Sequence, residues 1–175
     1  MKPVRLNRRV IYEHPRVSLY VDKVRFPQGL VVEEHHVLSF ELPSVAVLVE
    51  DVDDEILLVH AYRYVTDSIE WGVPAGGVER GESLLEAAAR EVREESGYQT
   101  TDHELIYSYY PMNGISDKVF DVVHCRSGRP TGCFDGNEVQ DLRWASRRQL
   151  QQMIDQGEVK DGFSLTALLI HLRRG

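Results

Sequence analysis

Residues Gly76 to Tyr98 read GGVERGESLLEAAAREVREESGY, and this stretch decides the fold. Ser83-Leu84-Leu85-Glu86 has the pattern of a capping box, in which a serine side chain and a glutamate three residues on exchange hydrogen bonds with each other's backbone. A helix therefore starts near Ser83. Leu85, Ala88, Ala89 and Val92 recur at helical spacing and predict its apolar stripe. Gly97 is placed to stop the helix. Glu91, Glu94 and Glu95 fall within an arc of roughly 100° on that helix, away from the stripe. Carboxylates crowded in this way repel one another, and a divalent cation relieves the repulsion. Magnesium takes hard oxygen donors and keeps waters and phosphate oxygens in its shell. The competing reading is a solvated helix face.

Just before the helix, Val73-Pro74-Ala75-Gly76-Gly77 predicts a tight, exposed bend that lets a backbone carbonyl or amide approach a metal or a phosphate. Further upstream, Val45–Val49 and Ile56–Val59 are apolar runs on either side of a polar turn, the pattern of a hairpin of buried strands. The region from Arg9 to Phe40 reads as extended. Val17, Leu19 and Val21 alternate with Ser18, Tyr20 and Asp22, and Phe26–Leu30 is a turn. Downstream, strands are expected near Leu105–Tyr109, Val119–Cys125 and Val139–Ala145. Helices are expected over Arg147–Asp155 and Ser164–Leu172, with Leu165, Leu168, Leu169 and Leu172 as the core stripe of the last one. Strand hairpins mixed with three helices predict an α/β (α+β) sandwich, with helices on both faces of a mixed sheet. Residues 1–43 form an N-terminal antiparallel β region and 44–175 the main domain.

The chain has 175 residues, enough for a sizeable core, and a formal net charge of −8. That charge argues against a general affinity for nucleic acid or for an anionic membrane. No run of residues has signal-peptide or bilayer-spanning character. Cys125 and Cys133 read as two partly buried thiols in a reducing cytosol, so the protein is expected to be cytoplasmic.

Gly76, five residues, Glu82, seven residues and then Arg90-Glu91-Val92-Arg93-Glu94-Glu95-Ser96-Gly97 form a long gapped signature that resembles the Nudix box. The resemblance is strongest from Ser44 to Gly97. It implies a hydrolase with an α/β/α sandwich and a Mg2+ cofactor, Mn2+ being the alternative. It implies that Glu91, Glu94 and Glu95 bind the metal with the backbone carbonyl of Ala75. Glu94 also counts among the catalytic residues, as does Arg90, which orients a glutamate from behind. Ala61-Tyr62-Arg63, Trp71–Gly76 and Pro111–Ser116 resemble the ADP-ribose pyrophosphatase branch. That likeness implies Arg63, Glu70, Trp71, Gly76 and Gly114 as substrate-binding residues, with Glu70 standing in for the glutamate that the branch often carries at the position of Gly72. It also implies a general base on the segment Phe134-Asp135-Gly136-Asn137-Glu138, with Glu138 as the choice and Asp135 as the alternate. The N-terminal region is expected to build a homodimer and part of the substrate pocket.

The expected reaction is hydrolysis of the diphosphate bridge of a nucleoside diphosphate sugar, ADP-ribose giving AMP and ribose 5-phosphate. GDP-mannose is a sibling substrate. Nucleoside triphosphate hydrolysis and RNA decapping are further alternatives, and a non-catalytic nucleotide-sensing domain is the alternative from a different class.

Overall fold

A computed structural model describes residues 1–132, 134, 136 and 138–174. Cys133 and Asp135, both named above, lie outside the described residues. The chain divides into two compact units. One comprises Met1–Pro43 with Tyr109–Val119, and the other Ser44–Ser108 with Phe120–Gly175.

The first unit is an antiparallel sheet of β1 (Val4–Tyr12), β2 (Ser18–Arg25) and β3 (Val31–Ser39), in that order. The turn between β2 and β3 closes as expected, with Gly29 at φ 92° and its N–H donating to the Phe26 carbonyl at 2.9 Å. The expected alternation along β2 does not hold, because Ser18, Val21 and Asp22 are all buried. Register shifts on both flanks of β2 break the two-residue period. Arg8, across from Asp22, holds that carboxylate in a two-pronged ion pair at 2.7 and 2.8 Å. The Tyr109–Val119 segment joins this unit through Asp117. Its carboxylate accepts from Ser39 Oγ at 2.6 Å and from the Phe40 N–H at 2.8 Å.

The second unit carries β4 (Ser44–Glu50), β5 (Ile56–Arg63), β6 (Ser68–Gly72), β7 (Ala75–Gly77), α1 (Leu84–Ser96), β8 (Tyr98–Tyr109), β9 (Phe120–Pro130), β10 (Val139–Ala145), α2 (Arg147–Asp155) and α3 (Gly162–Arg174). The main strand order is β10-β5-β4-β9-β8, with β6 beside β5 and β7 beside β4. β4 and β9 run parallel while β4–β5, β4–β7, β5–β6 and β5–β10 pair antiparallel, so the sheet is mixed. Val45 to Val49 of β4 have no exposed surface, the mark of a strand covered on both faces. Val45, Val47 and Val49 pack with Ala87, Ala88 and Val92 of α1, and α3 also packs on β4.

Several local readings need correction. The β4–β5 hairpin pairs only at Glu50 and Ile56, because β7 takes the place beside Ser44–Ala46. Val73–Gly77 is therefore not an exposed bend. Val73 is fully buried and Ala75–Gly77 is a strand. Cys125 is wholly rather than partly buried, and burial pushes its thiol up to about 12. On α3 the buried set is Phe163, Ser164, Ala167, Leu168 and His171, while Leu169 is 42% exposed. The rotation of α3 is set by Phe163, whose ring stacks on Phe120 with centroids 3.9 Å apart. Among the described residues no helix is long and apolar enough to cross a membrane.

Candidate active site

The site is built on α1. Ser83 caps the helix, accepting from the Glu86 N–H, and Glu86 returns the bond to the Ser83 N–H at 2.7 Å. Gly97 ends it in the left-handed conformation at φ 71°, with its N–H on the Arg93 carbonyl. The helix phase differs by one residue from the expected stripe. Leu85 is exposed, and the inward face is Leu84, Ala87, Ala88, Glu91, Val92 and Glu95. These positions follow the i, i+3, i+4, i+7 rule. Two of the glutamates thus occupy core-facing positions, while Glu94 stays half-exposed.

Arg90 organises the carboxylates around it. Its Nε and Nη2 bind the two Glu82 oxygens at 3.1 and 2.7 Å. Nη1 reaches Glu91 at 2.8 Å and Glu94 at 3.2 Å, and Nη2 also donates to the Gly77 carbonyl at 2.9 Å. A guanidinium has five N–H donors, and these contacts account for them all. The result is a raised Arg90 pKa, owed first to Glu82, and a Glu82 carboxyl held below its ordinary value by Arg90.

Glu91 and Glu95 respond in the opposite direction. Burial raises the Glu91 carboxyl, against the pull of Arg90, and the charges of Glu94 and Glu138 add to the rise. Burial pushes Glu95 up to about 8, with Glu91 and Glu138 adding to it, while the Ala75 N–H and Arg63 oppose it. The Ala75 N–H donates to Glu95 Oε2 at 3.2 Å. A Cβ built on Gly76 overlaps the Glu91 carboxylate. Gly76 is there because Glu91 needs the space, not because a turn needs a glycine.

Glu91, Glu94, Glu95 and Glu138 line one cavity of about 550 Å³, together with Arg93, Thr131 and Phe134. Glu95 and Glu138 also line a second cavity, of about 800 Å³, which contains Arg63, Glu70 and Lys160. The two cavities share these two carboxylates. A family model for the NUDIX domain matches residues 41–164, well over half of the chain. The chain belongs to the Nudix family.

Relatives agree with that assignment. A CMP-5'-(N-acetyl-N-hydroxy-3-aminopropyl)phosphonate hydrolase of Streptomyces rubellomurinus is 29% identical, over 95% of this chain and 81% of its own length. An ADP-ribose pyrophosphatase of Mycobacterium tuberculosis is 28% identical, over 87% of this chain and 74% of its own length. A solved structure of an ADP compounds hydrolase superposes with a TM-score of 0.77 at 22% identity, covering 99% of this chain and 93% of that one. At that identity the superposition speaks to the fold.

The remaining candidate residues of this Nudix chain separate by position. Arg63 and Glu70 line the larger cavity. Trp71 is not among the residues lining either of these two cavities. It stacks on His60 with centroids 4.4 Å apart, and successive side chains of a strand leave opposite faces, so Glu70 and Trp71 diverge. A Cβ on Gly72 meets the Ser164 hydroxyl of α3, so a side chain at that position requires Ser164 to move. Gly114 lies in the other unit, in a turn where the Ile115 and Ser116 N–H groups both donate to the Met112 carbonyl. Lys160, Asp161 and Thr131 line the cavities and went unnoticed in the sequence, while Phe134 lines the smaller one from the segment expected to carry the base. Asp161 alone carried a signal, as an acid just before a helix. Its carboxylate accepts from the N–H groups of Phe163 and Ser164 and from the Ser164 hydroxyl.

The donor set fits a hard divalent cation such as Mg2+ or Mn2+, since every acidic side chain present offers carboxylate oxygens. Among the described residues no three acidic, histidine or cysteine side chains are gathered into a finished metal shell. Arg90 occupies oxygens of Glu91 and Glu94 instead. Yet Glu95 is buried with no cationic side chain in ion-pair contact among the described residues and lies near the charges of Glu91 and Glu138. A cation beside it offsets both its burial and that repulsion.

Proposed function

We propose that this chain hydrolyses the diphosphate bridge of a nucleoside diphosphate sugar in a magnesium-dependent reaction, with ADP-ribose giving AMP and ribose 5-phosphate. The observation that carries the reading is the shared wall: Glu95 and Glu138 belong both to the cavity of box carboxylates and to the cavity containing Arg63. A diphosphate spanning that wall has metal-binding oxygens on one side and a fixed cation on the other. Glu91, Glu94 and Glu95, with the Ala75 carbonyl, are the residues that would hold the ion. A bound divalent cation polarises phosphoryl oxygens and lowers the pKa of water.

The other roles fall to the chain's own groups. Arg90 fixes the rotamers of Glu91 and Glu94. Glu138 accepts the proton as water attacks phosphorus. A new P–O bond forms, the bridging P–O bond breaks, and the leaving phosphate carries off the electron pair. Arg63 presents positive charge to the diphosphate oxygens. Glu70 faces the same cavity and can accept hydrogen bonds from hydroxyls of an end group. The assembly is a homodimer in the cytoplasm, built partly from residues before Ser44.

The ADP-ribose pyrophosphatase relative supports this substrate. A second reading, a CMP-linked phosphonate, is favoured by the Streptomyces relative, whose similarity runs over 95% of the chain. Pure protein with magnesium, tested on ADP-ribose, GDP-mannose, a CMP-linked phosphonate and ATP, decides between them. The expected result is fastest turnover of ADP-ribose, with label from ¹⁸O-water in a phosphate product. Label in a sugar hydroxyl refutes the mechanism. Preference for ATP refutes the substrate class, and no turnover of any compound leaves a nucleotide-sensing domain.

A further inference from the structure

The larger cavity sorts its charges in an unusual way. Four carboxylates line it, Glu70, Glu95, Glu138 and Asp161, and so do two cations, Arg63 and Lys160. Cations among carboxylates normally pair with them, yet among the described residues the ion pairs include neither Arg63 nor Lys160. Asp161, the carboxylate next to Lys160 in sequence, is taken up instead by the first turn of α3. Glu70 accepts from Ser68 Oγ at 2.6 Å.

Lys160 is also held at its base. Val159 before it is only 4% exposed, and Asp161 after it is locked onto the helix. The backbone of residue 160 is therefore fixed while its side chain remains exposed. A lysine anchored at its backbone, facing a cavity and without an ion-pair partner keeps its charge available for an anionic ligand.

We propose that Lys160 is a substrate-positioning residue whose ammonium group, acting with the Arg63 guanidinium, grips phosphate oxygens of a nucleoside diphosphate ligand in the larger cavity. The proposal rests on the hydrolase reading above and adds a second cation to it. Lys160 acts on binding, through the charge it presents to the cavity. Its effect belongs in KM rather than in kcat.

The test compares the unaltered chain with Lys160→Met and Lys160→Arg, using ADP-ribose turnover and equilibrium binding of α,β-methylene-ADP, whose bridge resists hydrolysis. Lys160→Met raises KM and the Kd of the analogue by about tenfold, the usual scale of one charge-assisted contact. It leaves kcat within about twofold and the melting temperature unchanged, and Lys160→Arg recovers most of the loss. The gap between the unaltered chain and the methionine variant narrows as sodium chloride is raised, because the contact is ionic and partly exposed. Unchanged KM and Kd in Lys160→Met overturn the proposal, as does failure of the unaltered chain to bind the analogue. If the unaltered chain leaves ADP-ribose intact but binds the analogue in a Lys160-dependent way, the substrate assignment falls and the role of Lys160 stands.

Discussion

At the residue scale, the site depends on contacts that only particular side chains can make. Gly76 and Glu91 share one small volume, so any Cβ at position 76 displaces the carboxylate. Gly76→Ala is expected to lower kcat by at least about tenfold and to cost about 1–3 kcal/mol of stability, the range for overpacking. Turnover assays with thermal or urea unfolding check both numbers, and an alanine variant with normal turnover removes this role for Gly76. Glu95→Gln tests the metal reading. The amide keeps an oxygen to accept the Ala75 N–H but loses the charge, so the fold persists while kcat falls by roughly 10² or more. Unchanged turnover at saturating magnesium defeats that assignment.

At the element scale, the phase of a helix decides which of its residues matter. The α1 sequence contains two overlapping apolar rows, and in the fold the one beginning at Leu84 packs Ala87, Ala88 and Val92 against the valines of β4. That phase carries Glu91 and Glu95 inward with it. The end of α3 makes a different kind of junction. Arg147, at the start of α2, donates to the carbonyls of His171 and Leu172 at 3.1 and 2.7 Å. Burial, with help from Arg147 and His124, holds the His171 imidazole below its ordinary value. A histidine depressed in this way contributes stability that is present above its unfolded pKa of about 6.5 and is lost as pH falls through the lower folded value. His171→Gln removes the titration. Its stability relative to the unaltered chain should therefore improve as pH is lowered from about 6.5. Parallel stability curves across that range count against the assignment.

At the scale of the whole molecule, the N-terminal sheet has two edge strands, and β1 is exposed along most of its length. Val4, Leu6, Val10 and Ile11 are each more than two-fifths exposed, which leaves an apolar sheet edge. Pairing with a second copy is the expected outcome. Sedimentation or light scattering at concentrations well above assay levels should return twice the chain mass. A strictly monomeric mass rules out the dimer. Replacing Val10 and Ile11 by lysine is expected to shift the mass towards the monomer, since edge lysines oppose strand addition.

Much of this was legible in the amino-acid order because the governing interactions are local. The capping box at Ser83, the stop at Gly97, the turn at Gly29 and the spacing of Glu82, Arg90, Glu91, Glu94 and Glu95 all depend on neighbours a few residues away. The box spacing was enough to indicate the family, and the order of strand and helix patterns foresaw a mixed sheet with helices. Contacts between distant segments were not legible. Leu84 displaced Leu85 from the buried face through packing against β4. Ala75–Gly77 became a strand because β4 offered it an unpaired edge. Trp71 turned away from Glu70 once β5 had set its register with β6. Lys160 reads as one more polar residue until the fold sets it in one cavity with Arg63 and Glu95, a cavity that no single segment encloses. Propensity and capping act along the chain, whereas burial, register and the sorting of charge in a cavity act through space, and those only the tertiary structure decides.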